Sequence, residues 1–153
     1  MKRRIFFLGL LLAVAAVSAV TADSSSPKPS VPPPATTNAP SQKVIAYYFH
    51  GTVRCETCLK IEKQAKEAIE RRFQTELDAQ RLVFKPLNYD LPENAHFQQD
   101  YKLPCPSLVL VRQKDGKDEK WTLLGDTWQL VHDPVKFNSY IETEVNKFLR
   151  DQK

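Results

Sequence analysis

The sequence predicts a domain of the α/β class, built on a four-stranded mixed sheet with flanking helices. Three observations support this prediction. A buried strand, an amphipathic helix and a second strand follow one another, a hairpin comes next, and the chain closes with another amphipathic helix. Strand, helix and strand in succession form a βαβ unit with parallel strands, whereas a hairpin adds antiparallel ones. The sheet is therefore expected to be mixed.

The βαβ unit is predicted between residues 44 and 89. Val44 to Phe49, VIAYYF, is β-branched and aromatic without alternation, which is typical of a strand buried on both faces. From Cys55 onward, apolar residues recur at helical spacing. Leu82 to Tyr89 reads as the second strand, and its Pro86 cannot donate a ladder hydrogen bond. We therefore expect this strand at an edge of the sheet.

The second half of the domain is predicted to hold a hairpin and a final helix. Ser107 to Arg112 and Lys120 to Leu124 flank the turn signal Asp-Gly at 115–116. After them, Asp133 is a typical N-cap and Pro134 a typical first helical residue. The apolar stripe that follows is expected to pack on the sheet.

Residues 1–22 have the pattern of a secretory signal peptide. Basic residues at 2–4 precede an apolar run from Ile5, and small residues at 20–22 offer a cleavage site. An uncleaved membrane anchor is the alternative, because a spanning helix needs roughly 17 to 25 apolar residues and the run is close to that length. We expect cleavage, and hence a periplasmic or extracellular protein that contacts a membrane only if the peptide is retained.

Residues 23–42 are rich in proline and serine and contain no aromatic residue. Such a segment buries too little apolar surface to offset the entropy of ordering. We expect a disordered tether there, and a folded domain from residue 43 to residue 153.

Charge argues against nucleic-acid binding. Residues 1–22 hold three of the 22 basic residues and none of the 18 acidic ones, so their removal would leave a net charge near +1. No basic stripe then remains to bind phosphates. The three cysteines are an odd number in a chain expected in an oxidising compartment, so at least one thiol is left over.

Cys55 and Cys58 form a CxxC motif directly after the first strand, at the start of the first helix. In this context the motif predicts redox chemistry, because the helix N-terminus favours a thiolate. Cys55 is the expected nucleophile and Cys58, one turn further in, the resolving thiol. Arg54 is expected to stabilise the thiolate and Glu56 to oppose it.

The order of these elements resembles the thioredoxin superfamily from about Val44 to the C-terminus. Three places carry the resemblance: CETC after VIAYYF, the strand that ends LNYD with Asp90, and the loop LPCPSLVLV. Pro106 stands where thioredoxins keep a cis-proline, which implies a cis Cys105-Pro106 bond and a role in holding the backbone of a partner. The resemblance also implies that Cys105 faces the CxxC motif, although a buried free thiol is the alternative.

Within the superfamily, YYFHGTVRCETCLKIE and WTLLGDTWQL resemble the small exported proteins of the ArsF family, described as subunits of a nitrophenyl compound nitroreductase. That resemblance implies an electron-transfer subunit of a partner redox enzyme. Nitro reduction needs a donor such as a flavin, and no glycine-rich nucleotide fingerprint is present.

The chain departs from ordinary thioredoxins in three places. The tether takes the place of their first strand and helix, and Glu56-Thr57 replaces Gly-Pro between the cysteines. Tyr48 and Phe49 occupy the stretch where thioredoxins carry a buried aspartate that assists proton transfer.

Three alternative functions are therefore weighed. The first is a thiol-disulfide oxidoreductase that needs no cofactor, acts on protein thiols and disulfides, and uses Cys55, Cys58 and Pro106. The alternative is a metal or metalloid module that uses Cys55, Cys58 and Cys105. With His50 as a fourth ligand the set would suit zinc, whereas the thiolates alone would suit copper(I) or trivalent arsenic. An accessory subunit that only docks on a partner enzyme would need none of the thiols.

Overall fold

A computed structural model describes residues 41–150 and shows one four-stranded mixed sheet with flanking helices. Its strand order is β2-β1-β3-β4, with β1 parallel to β2 and antiparallel to β3, and with β3 antiparallel to β4. The elements are, in chain order, β1 (Gln42–His50), α1 (Glu56–Arg72), α2 (Gln74–Asp78), β2 (Leu82–Asn88), a 3₁₀ turn (Pro92–Asn94), α3 (His96–Asp100), β3 (Ser107–Lys114), β4 (Lys117–Leu123), α4 (Thr127–Leu130) and α5 (Pro134–Arg150). The predicted fold class is confirmed.

β1 is a central strand, as its run of apolar residues predicted. Six consecutive residues, from Val44 to Phe49, are buried. The strand begins at Gln42, two residues earlier than expected, so it includes the last residue of the predicted tether. The predicted signal peptide and residues 23–40 of the tether lie outside the described residues.

β2 lies at the edge of the sheet, in agreement with the position of Pro86. At the two ends of the pairing with β1, Val44 donates its N–H to Arg81 O and Tyr89 donates its N–H to His50 O. The odd-numbered residues of β2 therefore bond to β1. The backbone of Pro86 faces away from the sheet, where its missing N–H costs no ladder bond.

The two faces of the sheet carry different cores. One face, here called the helical face, packs α1 and α5 against alternate residues of the strands. Its largest fully buried side chains include Tyr48, Ile61, Ile69, Phe137 and Ile141. The opposite face, here called the aromatic face, is covered by the segment around α3. It gathers Tyr47, Phe49, Phe97, Tyr101 and Leu87.

The hairpin and the last helix are both present as predicted, but β3 ends two residues later and β4 begins three residues earlier than expected. Asp115 and Gly116 both have positive φ, 48° and 77°, in the two-residue turn between β3 and β4. A turn of this kind suits the twist of paired strands. At the start of α5, Asp133 Oδ1 accepts a hydrogen bond from Lys136 N at 3.1 Å, which confirms the predicted N-cap. Within residues 41–150, no helix has the length and apolar character needed to cross a membrane.

Candidate functional site

Cys55 and Cys58 are joined in a disulfide at the beginning of α1, with their Cα atoms 5.0 Å apart. Cys55 is the N-cap of the helix, and its Sγ accepts a hydrogen bond from Cys58 N at 3.0 Å. The side chains differ in exposure, because Cys55 is exposed whereas Cys58 is only 4% exposed. A partner molecule can therefore reach Cys55 more readily than Cys58.

Residues at the end of β2 form hydrogen bonds with the loop between β1 and the disulfide. Thr52 donates its N–H to Asp90 Oδ2 at 2.7 Å, and Asn88 Nδ2 donates to Thr52 Oγ1 at 3.1 Å. A Cβ atom at Gly51 would lie 3.0 Å from Asp90 Oδ2, which is tighter than most real Cβ contacts. Glycine at 51 therefore allows the close approach of the two loops. The sequence marked Asp90 by resemblance, but not as an anchor of this loop.

Tyr48 of β1 is hydrogen-bonded to the backbone of Cys58. Its ring is fully buried on the helical face, and its hydroxyl donates to Cys58 O at 2.7 Å. Burial raises the pKa of Tyr48, with the nearby Arg54 charge opposing that rise and Glu62 and Cys105 adding to it. The hydroxyl is therefore a stable hydrogen-bond donor to the first turn of α1. The sequence marked this position only as the place of a missing aspartate.

Arg54, which directly precedes Cys55, forms an ion pair with another side chain of the site. Its guanidinium forms an ion pair with Glu62 of α1 and lies over the ring of Tyr48, 5.8 Å from the centroid. Arg54 and Glu62 are 22% and 24% exposed. The Glu62 carboxylate therefore offsets positive charge that was expected to stabilise a Cys55 thiolate.

The loop with Cys105 and Pro106 is held by side chains on both sides. Trp128 of α4 donates its indole N–H to Pro106 O at 2.9 Å, and Ser107 Oγ donates to Cys105 O at 2.7 Å. Cys105 is a free, half-buried thiol. Cys105 lies two residues before Ser107, which pairs with Phe49 near the end of β1, so it lies at the end of the sheet that carries the disulfide. The cis bond before Pro106 stays a prediction.

The four predicted metal ligands do not form a ligand set. Cys55 and Cys58 share a disulfide, and His50 Nδ1 lies 2.9 Å from the carbonyl oxygen of Gly51. Across residues 41–150, no group of three or more His, Cys, Asp or Glu side chains is arranged to hold a metal ion. This oxidised geometry gives no support to zinc, copper(I) or arsenic(III) binding.

Sequence reasoning missed three residues that contact the site, and each left a weak signal. Glu62 follows Cys58 by four residues on one helix, a spacing that places side chains side by side. Trp128 is half-buried, and a buried indole N–H needs an acceptor. Tyr48 is a polar residue within a buried strand, so its hydroxyl also needs a partner. In each case the sequence raises the question without naming the partner.

The strand order, the helices on both faces and the disulfide at the start of α1 define a thioredoxin-like domain with a CxxC disulfide. No family model matches the chain, and no curated protein matches it.

Solved structures similar to the chain include two thioredoxins. The oxidised thioredoxin of Plasmodium falciparum is 14% identical over 63% of this chain and 82% of its own, with a TM-score of 0.38. The thioredoxin of Fasciola hepatica is 20% identical over 62% of this chain and 81% of its own, with a TM-score of 0.37. A structure titled as a malarial protein is 15% identical over 61% of this chain and 94% of its own, with a TM-score of 0.36.

Proposed function

We propose that this protein is a thiol-disulfide oxidoreductase whose working pair is Cys55 and Cys58. The observation that carries the proposal is the unequal exposure of the two cysteines that share one disulfide at a helix start. An exposed sulfur can exchange with a partner, and a buried neighbour can complete the exchange without meeting solvent. The helix N-terminus favours the thiolate that the first step needs.

The reaction consists of two exchange steps. The Cys55 thiolate attacks one sulfur of a partner disulfide, a bond forms between the two, and the partner's other sulfur leaves as a thiolate. Cys58 then loses its proton and attacks Cys55 Sγ, which restores the disulfide and releases the partner's remaining sulfur. Two electrons pass from the dithiol to the partner, and the reverse sequence oxidises a partner dithiol. Neither step needs a cofactor.

We also propose that partners are protein thiols and disulfides, bound beside the loop of Pro106. Support comes from the resemblance of LPCPSLVLV to the thioredoxin loop and from the hydrogen bond between Trp128 and the Pro106 carbonyl. A role as electron-transfer subunit of a nitroreductase is a narrower form of this proposal, supported only by resemblance to the ArsF family.

A reductase assay with cysteine variants tests the function. With dithiothreitol as electron donor and a disulfide-bonded protein as substrate, we expect Cys55→Ser to abolish turnover and Cys58→Ser to accumulate a mixed disulfide through Cys55. Cys105→Ser is the matched control, and it should keep most of the activity. Equal activity in all three variants would leave only a docking role, whereas loss of tightly bound metal in Cys105→Ser would favour the metal module.

Export is proposed from the composition of residues 1–22, with the periplasm or extracellular space as destination. Mass spectrometry of the protein made in an exporting host tests it. We expect a mature N-terminus at residue 23. An intact Met1 on most molecules would contradict cleavage and favour an anchored protein.

A further inference from the structure

The ion pair of Arg54 and Glu62 joins the two ends of the segment that carries the disulfide. Arg54 directly precedes Cys55, and Glu62 follows Cys58 by one turn on α1. The guanidinium also lies over the ring of Tyr48, whose hydroxyl donates to Cys58 O. The ion pair, the tyrosine and the buried sulfur therefore form one group, called here the Cys58 cluster.

The burial of the Arg54–Glu62 pair allows its charges to act on the disulfide. The pair is about three-quarters buried, and Arg54 Nε is buried without a hydrogen-bond partner within the described residues. Partly buried charges interact more strongly with their surroundings than exposed ones, because water screens them less. Ion pairs on the outer face of α1, such as Lys63 with Glu67, are 75% and 56% exposed and act mainly on each other.

A charge beside the cysteines changes the balance between the oxidised and reduced forms. The disulfide is neutral, and its reduction consumes two electrons and one proton to give a Cys55 thiolate and a Cys58 thiol. A positive charge nearby stabilises the reduced form, and a negative charge opposes it. Arg54 and Glu62 thus have opposite effects on the midpoint potential, while the exposed Glu56 adds a smaller negative contribution.

We propose that Glu62, by pairing with Arg54, sets the midpoint potential of the Cys55-Cys58 disulfide. The carboxylate neutralises Arg54 and keeps the disulfide more resistant to reduction than an unpaired arginine would. Glu62 and Arg54 are positioning residues in this role, since neither exchanges a bond with the partner. The inference rests on the proposed function, and it names two groups that shift the potential of the working pair.

The test is a redox titration of the full domain against a glutathione or dithiothreitol couple at fixed pH and ionic strength. Glu62→Gln should raise the midpoint potential, with an expected change of about tenfold in the equilibrium constant, or about 30 mV for two electrons. Arg54→Gln should lower it, because an unpaired carboxylate remains. The double variant should return to within about 10 mV of the original protein, since both charges are gone.

Glu67→Gln is the matched control, because it removes a carboxylate from the exposed face of the same helix. Its expected shift is below about 5 mV, a change in the equilibrium constant of less than twofold. No shift in Glu62→Gln, or shifts of the same sign in Glu62→Gln and Arg54→Gln, would overturn the inference. If Glu62→Gln fails to fold, judged by its circular dichroism, the sign of the Arg54→Gln shift decides the matter.

The outcome separates this inference from the proposed function. A disulfide that titrates reversibly but ignores both charges would leave the oxidoreductase proposal standing. A Cys55→Ser variant that retains full reductase activity would remove the function, whatever the potentials.

Discussion

The helical face and the aromatic face are built from the same strands, but they differ in how they contact the disulfide segment. On β1, neighbouring tyrosines point to opposite faces. The Tyr48 hydroxyl donates a hydrogen bond to Cys58 O. The ring of Tyr47 instead stacks on that of Phe49, with centroids 5.2 Å apart, and Lys85 Nζ lies over it. The helical face thus links the core to the disulfide, and the aromatic face holds the segment between β2 and β3. Because successive side chains of β1 point to opposite faces of the sheet, Tyr48 contacts the disulfide segment and Tyr47 contacts the aromatic core.

The largest expected effect tests whether both faces are true cores. Phe49 is fully buried on the aromatic face and contacts Phe97 and Tyr101, with ring centroids 5.3 and 5.5 Å away. We expect Phe49→Ala to lower the free energy of unfolding by about 3 to 5 kcal/mol, a loss comparable to Ile61→Ala on the helical face. Urea denaturation measures both. A cost below about 1 kcal/mol at Phe49 would show that the aromatic face is dispensable.

The second effect concerns a polar bond of the aromatic face. Tyr101 donates its hydroxyl to Asp118 Oδ2 at 2.6 Å and so fastens the segment after β2 to the hairpin. Tyr101→Phe should cost about 1.5 kcal/mol, at the low end for a bond to a charged group because Asp118 is exposed. Chemical denaturation at neutral pH provides the value. An unchanged midpoint would mean that ring contacts alone hold this segment.

Alkaline pH tests the same residue through its titration. Burial, followed by the hydrogen bond to Asp118 and the charge of that carboxylate, raises the pKa of Tyr101 above its ordinary value near 10. The unfolded chain therefore loses this proton at lower pH than the folded one. The stabilisation is complete below about pH 10 and is lost as the pH rises further. Unfolding titrations between pH 8 and 11 should show a shallower decline for Tyr101→Phe, and parallel curves would contradict the assignment.

The smallest effect sharpens the contrast between the neighbouring tyrosines. Tyr48→Phe removes the donor to Cys58 O and should cost about 1 kcal/mol, while Tyr47→Phe should stay within about 0.5 kcal/mol. Hydrogen exchange at the amide of Leu59, which bonds to Cys55 O, reports the first turn of α1 directly. We expect exchange there to accelerate about fivefold in Tyr48→Phe only. Equal acceleration in both variants would contradict the claim that only the tyrosine of the helical face stabilises the first turn of α1.

Much of the fold could be predicted because its signals are local. The buried run of β1, the Asp-Gly turn and the Asp133 cap each depend on a few adjacent residues, and each formed as expected. Pro86 also predicted an edge, since a missing N–H limits where a strand can lie. The start of β1 was placed two residues late, because Gln42 and Lys43 are polar and gain their strand structure only by pairing with β3.

The site was harder to predict because its contacts join distant segments. Placing Cys55 at a helix start needed only the motif, but the partner of Arg54 lies eight residues further along, on the inner side of a helix. Nothing near Pro106 in the sequence indicates that Trp128, 22 residues later, donates to its carbonyl. Such bonds depend on how helices pack on the sheet, which periodicity alone does not specify.

The outward position of Pro86 also bears on how the protein behaves among other unfolded or folding chains. An exposed edge strand can recruit strands from neighbouring molecules and seed aggregation. Pro86 interrupts the row of outward N–H groups midway along β2, and the neighbouring exposed Lys85 adds charge there. At the opposite edge, Lys117 to Lys120 of β4 are all exposed and charged. Both edges of the sheet are thus poor templates for another strand, which favours a protein that stays dispersed at high local concentration.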